Sequence, residues 1–181
     1  MTRQQLEHLI RAAADIADDD EIIVIGSQAI LGQSPDAPEP MRVSVEADLF
    51  PRNHPERSNV IDGSIGELSP FHETFGYYAQ GVGEETALLP HGWQERLIAI
   101  QNENTRGVKG LCLEVHDLLV SKTLAGREKD FTFLRNAAIY RLADPEILLH
   151  RLTTVKVEPA VRENARAAIQ RAFHLRHQEP V

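Results

Sequence analysis

One cysteine, no long apolar run, no excess of positive charge and no internal repeat: this chain of 181 residues is bounded first by what it lacks. Cys112 stands alone, which rules out an intramolecular disulfide and any cysteine-rich zinc site; a buried, inert thiol is expected. No stretch approaches the ~20 consecutive apolar residues that a bilayer-spanning helix needs. The N-terminus is polar and carries no apolar core of the kind a secretory signal has. A cytoplasmic protein with no membrane partner is therefore expected. Lys and Arg number 19 against 27 Asp and Glu, a formal charge of −8. That balance argues against broad nonspecific nucleic-acid binding, although a local basic patch can coexist with it. The eight histidines show no metal-ligand spacing. His174 and His177 lie at i and i+3 near a predicted helix end, where a cation suits the dipole.

What is present is ordinary for a globular chain: 42% hydrophobic and 25% charged residues. The length fits one domain, or one domain with a helical appendage. Residues 3–17 carry Leu6, Leu9, Ile10, Ala13 and Ile16 at helical spacing, which predicts an amphipathic first helix. Asp18-Asp19-Asp20 ends it, and successive acids in a turn point in different directions, so a solvated turn is expected. A strand over Glu21–Ile25 and a short helix over Gln28–Gly32 follow. The three prolines of Ser34–Pro40 predict an irregular loop. Met41–Phe50 reads as a strand, with Val43, Val45, Ala47 and Leu49 facing the core, and Pro51 stops it. A weak helix is predicted over 55–68, with Val60, Ile61, Ile65 and Leu68 inward. Phe75–Val82 reads as a strand or hairpin arm; Tyr77 and Tyr78 there alternate faces, so at most one can stack on a base, and core packing is expected. Trp93–Gln101, with Leu97 and Ala99 on one face, and Leu111–Val115 are predicted to pair as a hairpin around the turn 104–110.

From Asp117 the pattern becomes helical: Leu118–Ala125, Lys129–Leu142, Pro145–Leu152 and Pro159–His174. Asp117 and Asp144 are the expected N-caps of the first and third of these. The tail His177–Val181 is expected to fray. The architecture is thus α+β, a mixed sheet with flanking helices over 1–116 followed by a C-terminal helical region over 117–181.

The chemistry concentrates between Ile22 and Phe50. The apolar run Ile22–Ile25 ends in Gly26-Ser27 and enters a helix, a turn whose backbone N–H groups and hydroxyl suit a phosphate. The next strand carries Glu46 and Asp48, two residues apart and so on one face. Two carboxylates on one face repel unless something positive lies between them, and a divalent metal is the usual solution. A phosphate cradle beside metal-binding acids points to nucleotide chemistry. The competing reading of Glu46 and Asp48 is a solvated strand face.

Gly26-Ser27 followed by Glu46-Ala47-Asp48 resembles the signature of the nucleotidyltransferase-fold superfamily, a Gly-Ser after the first strand and an acid-x-acid pair on the next. The run Leu113–Asp130, with Lys122, Arg127, Lys129 and Asp130, is similar to a Lys…Arg…Lys-Asp helix of uncharacterised bacterial nucleotidyltransferase-like proteins, distant relatives of abortive-infection toxin nucleotidyltransferases. The resemblance spans roughly residues 5–140. It implies catalytic carboxylates at Glu46 and Asp48, which would hold Mg²⁺ (or Mn²⁺), the natural choice for oxygen ligands. It also implies a third carboxylate from a later strand, for which Glu114 is the candidate and Asp117 and Asp62 are alternatives. Gly26 and Ser27 would bind phosphate, Lys122 would meet the β- or γ-phosphate, and Arg127 and Lys129 would assist. Helix-surface ion pairing is the competing account of the last three. Of the histidines, His116 stands nearest the predicted third acid. Two features depart from the pattern: Glu46 stands where active members more often carry Asp, and eighteen residues (28–45) separate the Gly-Ser from the acid pair.

The resemblance implies a metal-dependent enzyme that moves a nucleoside monophosphate from a nucleoside triphosphate to an acceptor hydroxyl on tRNA, a protein or a small molecule. The alternative is a catalytically silent module of the same fold that binds nucleotide, with a small protein partner in a toxin–antitoxin pair. A third reading is an unrelated structural α+β protein with no response to magnesium.

Overall fold

The computed structural model describes residues 1–175, and the expectations for His177–Val181 fall outside them. Eight α-helices and one five-stranded mixed sheet make up the described chain. No described helix is long and apolar enough to cross a membrane. The chain divides into a sheet unit, Met1–Thr86 with Leu97–Glu114, and a helical unit, Ala87–Arg96 with the chain from Val115 onward.

The sheet unit opens with α1 (Arg3–Ala17), held at its start by a reciprocal capping box between Thr2 and Gln5. Leu6, Leu9, Ile10 and Ala13 of its expected stripe are fully buried, while Ile16 is only half-buried and Ala17 takes the last buried position. Each such leucine or isoleucine contributes roughly 1.5–3 kcal/mol relative to exposure. The strands are β1 (Glu21–Val24), β2 (Glu46–Pro51), β3 (Tyr78–Gly81), β4 (Ile98–Ile100) and β5 (Lys109–Cys112), in the order β3-β2-β1-β5-β4. β1 sits at the centre, antiparallel to β2 and parallel to β5, and β2 runs parallel to β3. An unbroken apolar run is what a strand buried on both faces requires, and Ile22, Ile23 and Val24 meet that condition. β4 and β5 form the expected antiparallel hairpin. Cys112 is buried in β5, and burial pushes its thiol up to about 12, consistent with an inert role.

Several elements differ from the sequence reading. The predicted strand at Met41 begins only at Glu46, and Val43 and Val45 are exposed. The Ser44 hydroxyl accepts from Glu46 N and donates to Glu46 O, a local side-chain bond that competes with strand pairing. Pro51 is the last residue of β2, paired with Ile22, rather than a stop before the edge. The short helix after Gly26 starts as a 3₁₀ turn over Ser27–Ala29 before α2 (Ile30–Gln33). The 55–68 helix shrinks to α3 (Ser58–Ile65), where Ile61 and Ile65 are buried but Val60 and Leu68 are exposed. Phe75 closes an unforeseen α4 (Pro70–Phe75), capped by Ser69, and β3 is a parallel strand, not a hairpin arm. Asp19 is buried rather than solvated. It accepts from the backbone of Glu21, Asn53 and His54 and from the Asn53 side chain.

The helical unit contains α5 (Val115–Ala125), α6 (Glu128–Ile139), α7 (Pro145–Thr153) and α8 (Pro159–Leu175), packed on one another. Residues Trp93–Arg96, expected in a strand, form a 3₁₀ turn of this unit with Trp93 buried. That shortens β4 and inverts its faces, so Ala99 is exposed and Ile100 is buried. The cause is Asp117, which does not cap α5 but lies fully buried within its first turn. Its carboxylate takes Arg96 Nε at 2.9 Å and Nη2 at 3.1 Å, and Arg151 Nη1 at 3.0 Å. Asp144 is the expected N-cap of α7, accepting from Glu146 N at 2.8 Å.

Candidate active site

Strand pairing brings the turn and the acid pair together. β1 leaves the sheet at Val24, and Ile25 N donates to Asp48 O at 2.9 Å, so the N-terminal end of β2 lies beside the exit of β1. Leu113 N donates to Val24 O at 3.0 Å, which carries Glu114 to this same end of the sheet, two residues past β5. Gly26, Ser27, Glu46, Asp48 and Glu114 are all neither fully buried nor fully exposed. Along β2 the buried residues Ala47 and Leu49 alternate with Glu46 and Asp48, which therefore share a face.

Gly26 is fitted to Asp48. Its backbone lies at φ 52°, ψ −176°, a conformation almost confined to glycine. A Cβ at this position would stand 1.9 Å from Asp48 Oδ2 and 2.8 Å from its Cγ. The carboxylate thus occupies the space a side chain would fill, and no other residue lets backbone and acid approach so closely. Next to Ser27, Gln28 is 1% exposed, and neither polar atom of its side-chain amide has a hydrogen-bond partner among the described residues. An orphaned buried amide is costly, about 1–3 kcal/mol, and such groups call for a specific reason.

Glu46 has a partner that sequence reasoning missed. Tyr78 lies directly opposite it in the β2–β3 register, and its hydroxyl donates to Glu46 Oε2 at 2.9 Å. Burial pushes the phenol up to about 12, helped by the hydrogen bond and charge of Glu46 and by the charges of Glu67 and Asp48. Tyr77, on the other face, meets His8 Nδ1 at 2.8 Å in an aromatic cluster with Phe71 and Phe75. Alternation of the two tyrosines was legible; the register that sets Tyr78 against Glu46 was not, because parallel pairing leaves no local signal.

The residues of the helical unit stand as follows. Lys122 Nζ bonds Asp130 Oδ1 at 3.1 Å and lies 5.4 Å from the Phe133 ring centroid. Arg127 Nε bonds Asp130 Oδ2 at 2.6 Å. Burial would raise the Asp130 carboxyl, but the hydrogen bonds from Arg127 and Lys122 and their charges hold it below the usual carboxylate range. Lys129 is exposed. His116 Nε2 accepts from Asp144 N at 2.9 Å, which ties the start of α5 to the cap of α7. Of the two other acids, Asp117 is engaged by Arg96 and Arg151, and Asp62 is exposed on α3.

The donor set can be weighed against a metal on chemistry alone. Among the described residues no group of three or more His, Cys, Asp and Glu side chains converges as a protein-only metal centre would. Magnesium does not need one: it keeps several waters and commonly takes one or two carboxylates together with substrate phosphates. Glu46 and Asp48 beside a glycine-opened turn fit that kind of site.

A family model described as "Nucleotidyltransferase of unknown function (DUF6036)" matches residues 4–178. The description gives an activity class; it names neither a substrate nor a toxin relation. No curated protein and no solved structure matches the chain.

Proposed function

The chain belongs to this nucleotidyltransferase family, and on that premise we propose that it transfers a nucleoside monophosphate from a nucleoside triphosphate to an acceptor hydroxyl at the Gly26–Asp48 end of the sheet. The observation that carries the assignment is the fit of Gly26 to Asp48, which joins the turn and the acid strand in one place. Glu46 and Asp48 are the residues that would hold magnesium. The bound ion would supply charge to offset the phosphates and the departing pyrophosphate.

The chain's own residues have separate tasks. Gly26, without a side chain, lets the Asp48 carboxylate lie against the turn, and Ser27 offers its N–H and hydroxyl to a phosphate. Asp48 and Glu46 fix where the triphosphate is neutralised and hence which phosphorus faces the acceptor. In the transfer the acceptor oxygen bonds to the α-phosphorus, the bond to the β-phosphate oxygen breaks, and pyrophosphate leaves. The hydroxyl proton passes to a base, for which Glu114 at the same sheet end is the residue we propose. Lys122 and Arg127 are engaged on Asp130, so a role for either at the phosphates requires that substrate compete with that carboxylate; Lys129 is exposed.

A silent binding module is the second reading, favoured by the lack of a third converging ligand among the described residues. Incubation with each α-labelled nucleoside triphosphate, magnesium, and total tRNA or cell lysate separates the two. The enzyme reading expects label on an acceptor with the wild type, none with Asp48→Asn, and a loss of at least tenfold with Glu114→Gln. Magnesium-dependent nucleotide binding without transfer would leave the silent module.

A further inference from the structure

Glutamate at position 46 is one methylene longer than aspartate and has an additional rotatable bond, so left alone it would hold a cation less rigidly. Three contacts restrict it. Tyr78, paired with it across β2 and β3, donates its hydroxyl to Oε2 at 2.9 Å. The Ser44 hydroxyl bonds both the N–H and the carbonyl of Glu46, fixing the backbone below the side chain. Tyr78 is 9% exposed, and its ring is itself braced by the His72 ring, 4.6 Å away between centroids. His72 in turn accepts from Leu68 N through Nδ1 at 3.1 Å, and its backbone N–H donates to the Ser69 hydroxyl that caps α4. A chain of contacts therefore runs from the α3–α4 corner through His72 and Tyr78 to one oxygen of Glu46.

We propose that Tyr78 is a positioning residue for the acid pair: its hydroxyl holds Oε2 of Glu46 so that Oε1 is the oxygen presented to a divalent cation, with His72 as the brace behind it. This rests on the assignment of Glu46 and Asp48 as the metal-binding pair. It gives the Glu-for-Asp departure a physical account, since the longer acid reaches back to a donor on the neighbouring strand. Partners that orient a ligating carboxylate are worth roughly ten- to a hundredfold in metal affinity.

The test is manganese(II) binding to the full chain, followed by electron paramagnetic resonance, for the wild type, Tyr78→Phe, Glu46→Gln and the double variant, each with a thermal melt. Tyr78→Phe keeps the ring and its packing. It is expected to weaken manganese binding roughly tenfold or more with little change in melting temperature, and to add nothing in the Glu46→Gln background. A His72→Leu variant, which keeps bulk but loses the bond to Leu68, is expected to show a smaller loss of the same sign. Wild-type affinity in Tyr78→Phe, with binding weakened in Glu46→Gln, overturns the positioning role while the acid pair stands. Wild-type affinity in both removes the acid pair and the positioning role together. Equal losses of Tyr78→Phe in the two backgrounds also overturn it, because the phenol would then act independently of Glu46.

Discussion

Gly26 and Asp48 define the site at the level of single residues, because each dictates the other. Replacing Gly26 by alanine introduces a Cβ into the Asp48 carboxylate and forces a non-glycine residue into φ 52°, ψ −176°. Backbone strain of that kind costs about 1–3 kcal/mol. Gly26→Ala should therefore lower stability in urea by at least that amount and displace the acid. Asp48→Ala in the same background should relieve the clash but not the strain, giving partial restoration. Full restoration would show that the backbone conformation is not a constraint. The common face of Glu46 and Asp48 follows from the period of two alone, and it was legible. The approach of Asp48 to Gly26 depends on antiparallel pairing of β1 with β2, a long-range contact that the local sequence does not carry.

At the level of elements, the strongly periodic segments were the readable ones. α1 runs over the residues its apolar stripe indicates, the four C-terminal helices follow their patterns to within a few residues, and the hairpin pairing holds although β4 is shorter than expected. The failures share a cause. Val43 and Val45 alternate correctly for a strand, yet Ser44 diverts the Glu46 backbone and the pairing starts later. Trp93–Arg96 looks extended until Arg96 is recruited by Asp117 into the helical unit. Asp19 looks like one of three solvated acids until the turn at Asn53 closes over it. In each case a polar side-chain bond overrides the local preference, two residues away for Ser44 and far along the chain for Arg96 and Asp19. Burial alone would raise the Asp19 carboxyl, but its bonds from Glu21, Asn53 and His54 hold it low. Asp19→Ala leaves those donors without their acceptor and should destabilise the sheet unit by about 1–3 kcal/mol, read from chemical denaturation. A change within 0.5 kcal/mol would mean the turn is satisfied by solvent instead.

At the level of the whole molecule, two buried carboxylates organise the helical unit: Asp117 with Arg96 and Arg151, and Asp130 with Lys122 and Arg127. The Asp130 carboxyl is held below its unfolded value of about 3.9. The sign follows from linkage: the ionised acid stabilises the fold at all pH above that value, and the contribution is lost as pH falls through the lower folded value. Wild-type stability should therefore drop on acidification below about pH 4, and Asp130→Asn should be less stable at pH 7 but show a shallower fall over that window. Parallel acid profiles for the two proteins would contradict the ion-pair account.

The proposed activity requires that Glu46 and Asp48 hold nucleotide through magnesium. Isothermal titration of a nucleoside triphosphate into wild type and Asp48→Asn, with and without magnesium, tests it most directly when each protein is first shown to melt at a similar temperature. Binding by the wild type only when magnesium is present, and its loss in Asp48→Asn, is the predicted result. Equal affinity in the two proteins, or affinity indifferent to magnesium, would contradict the assignment of this site.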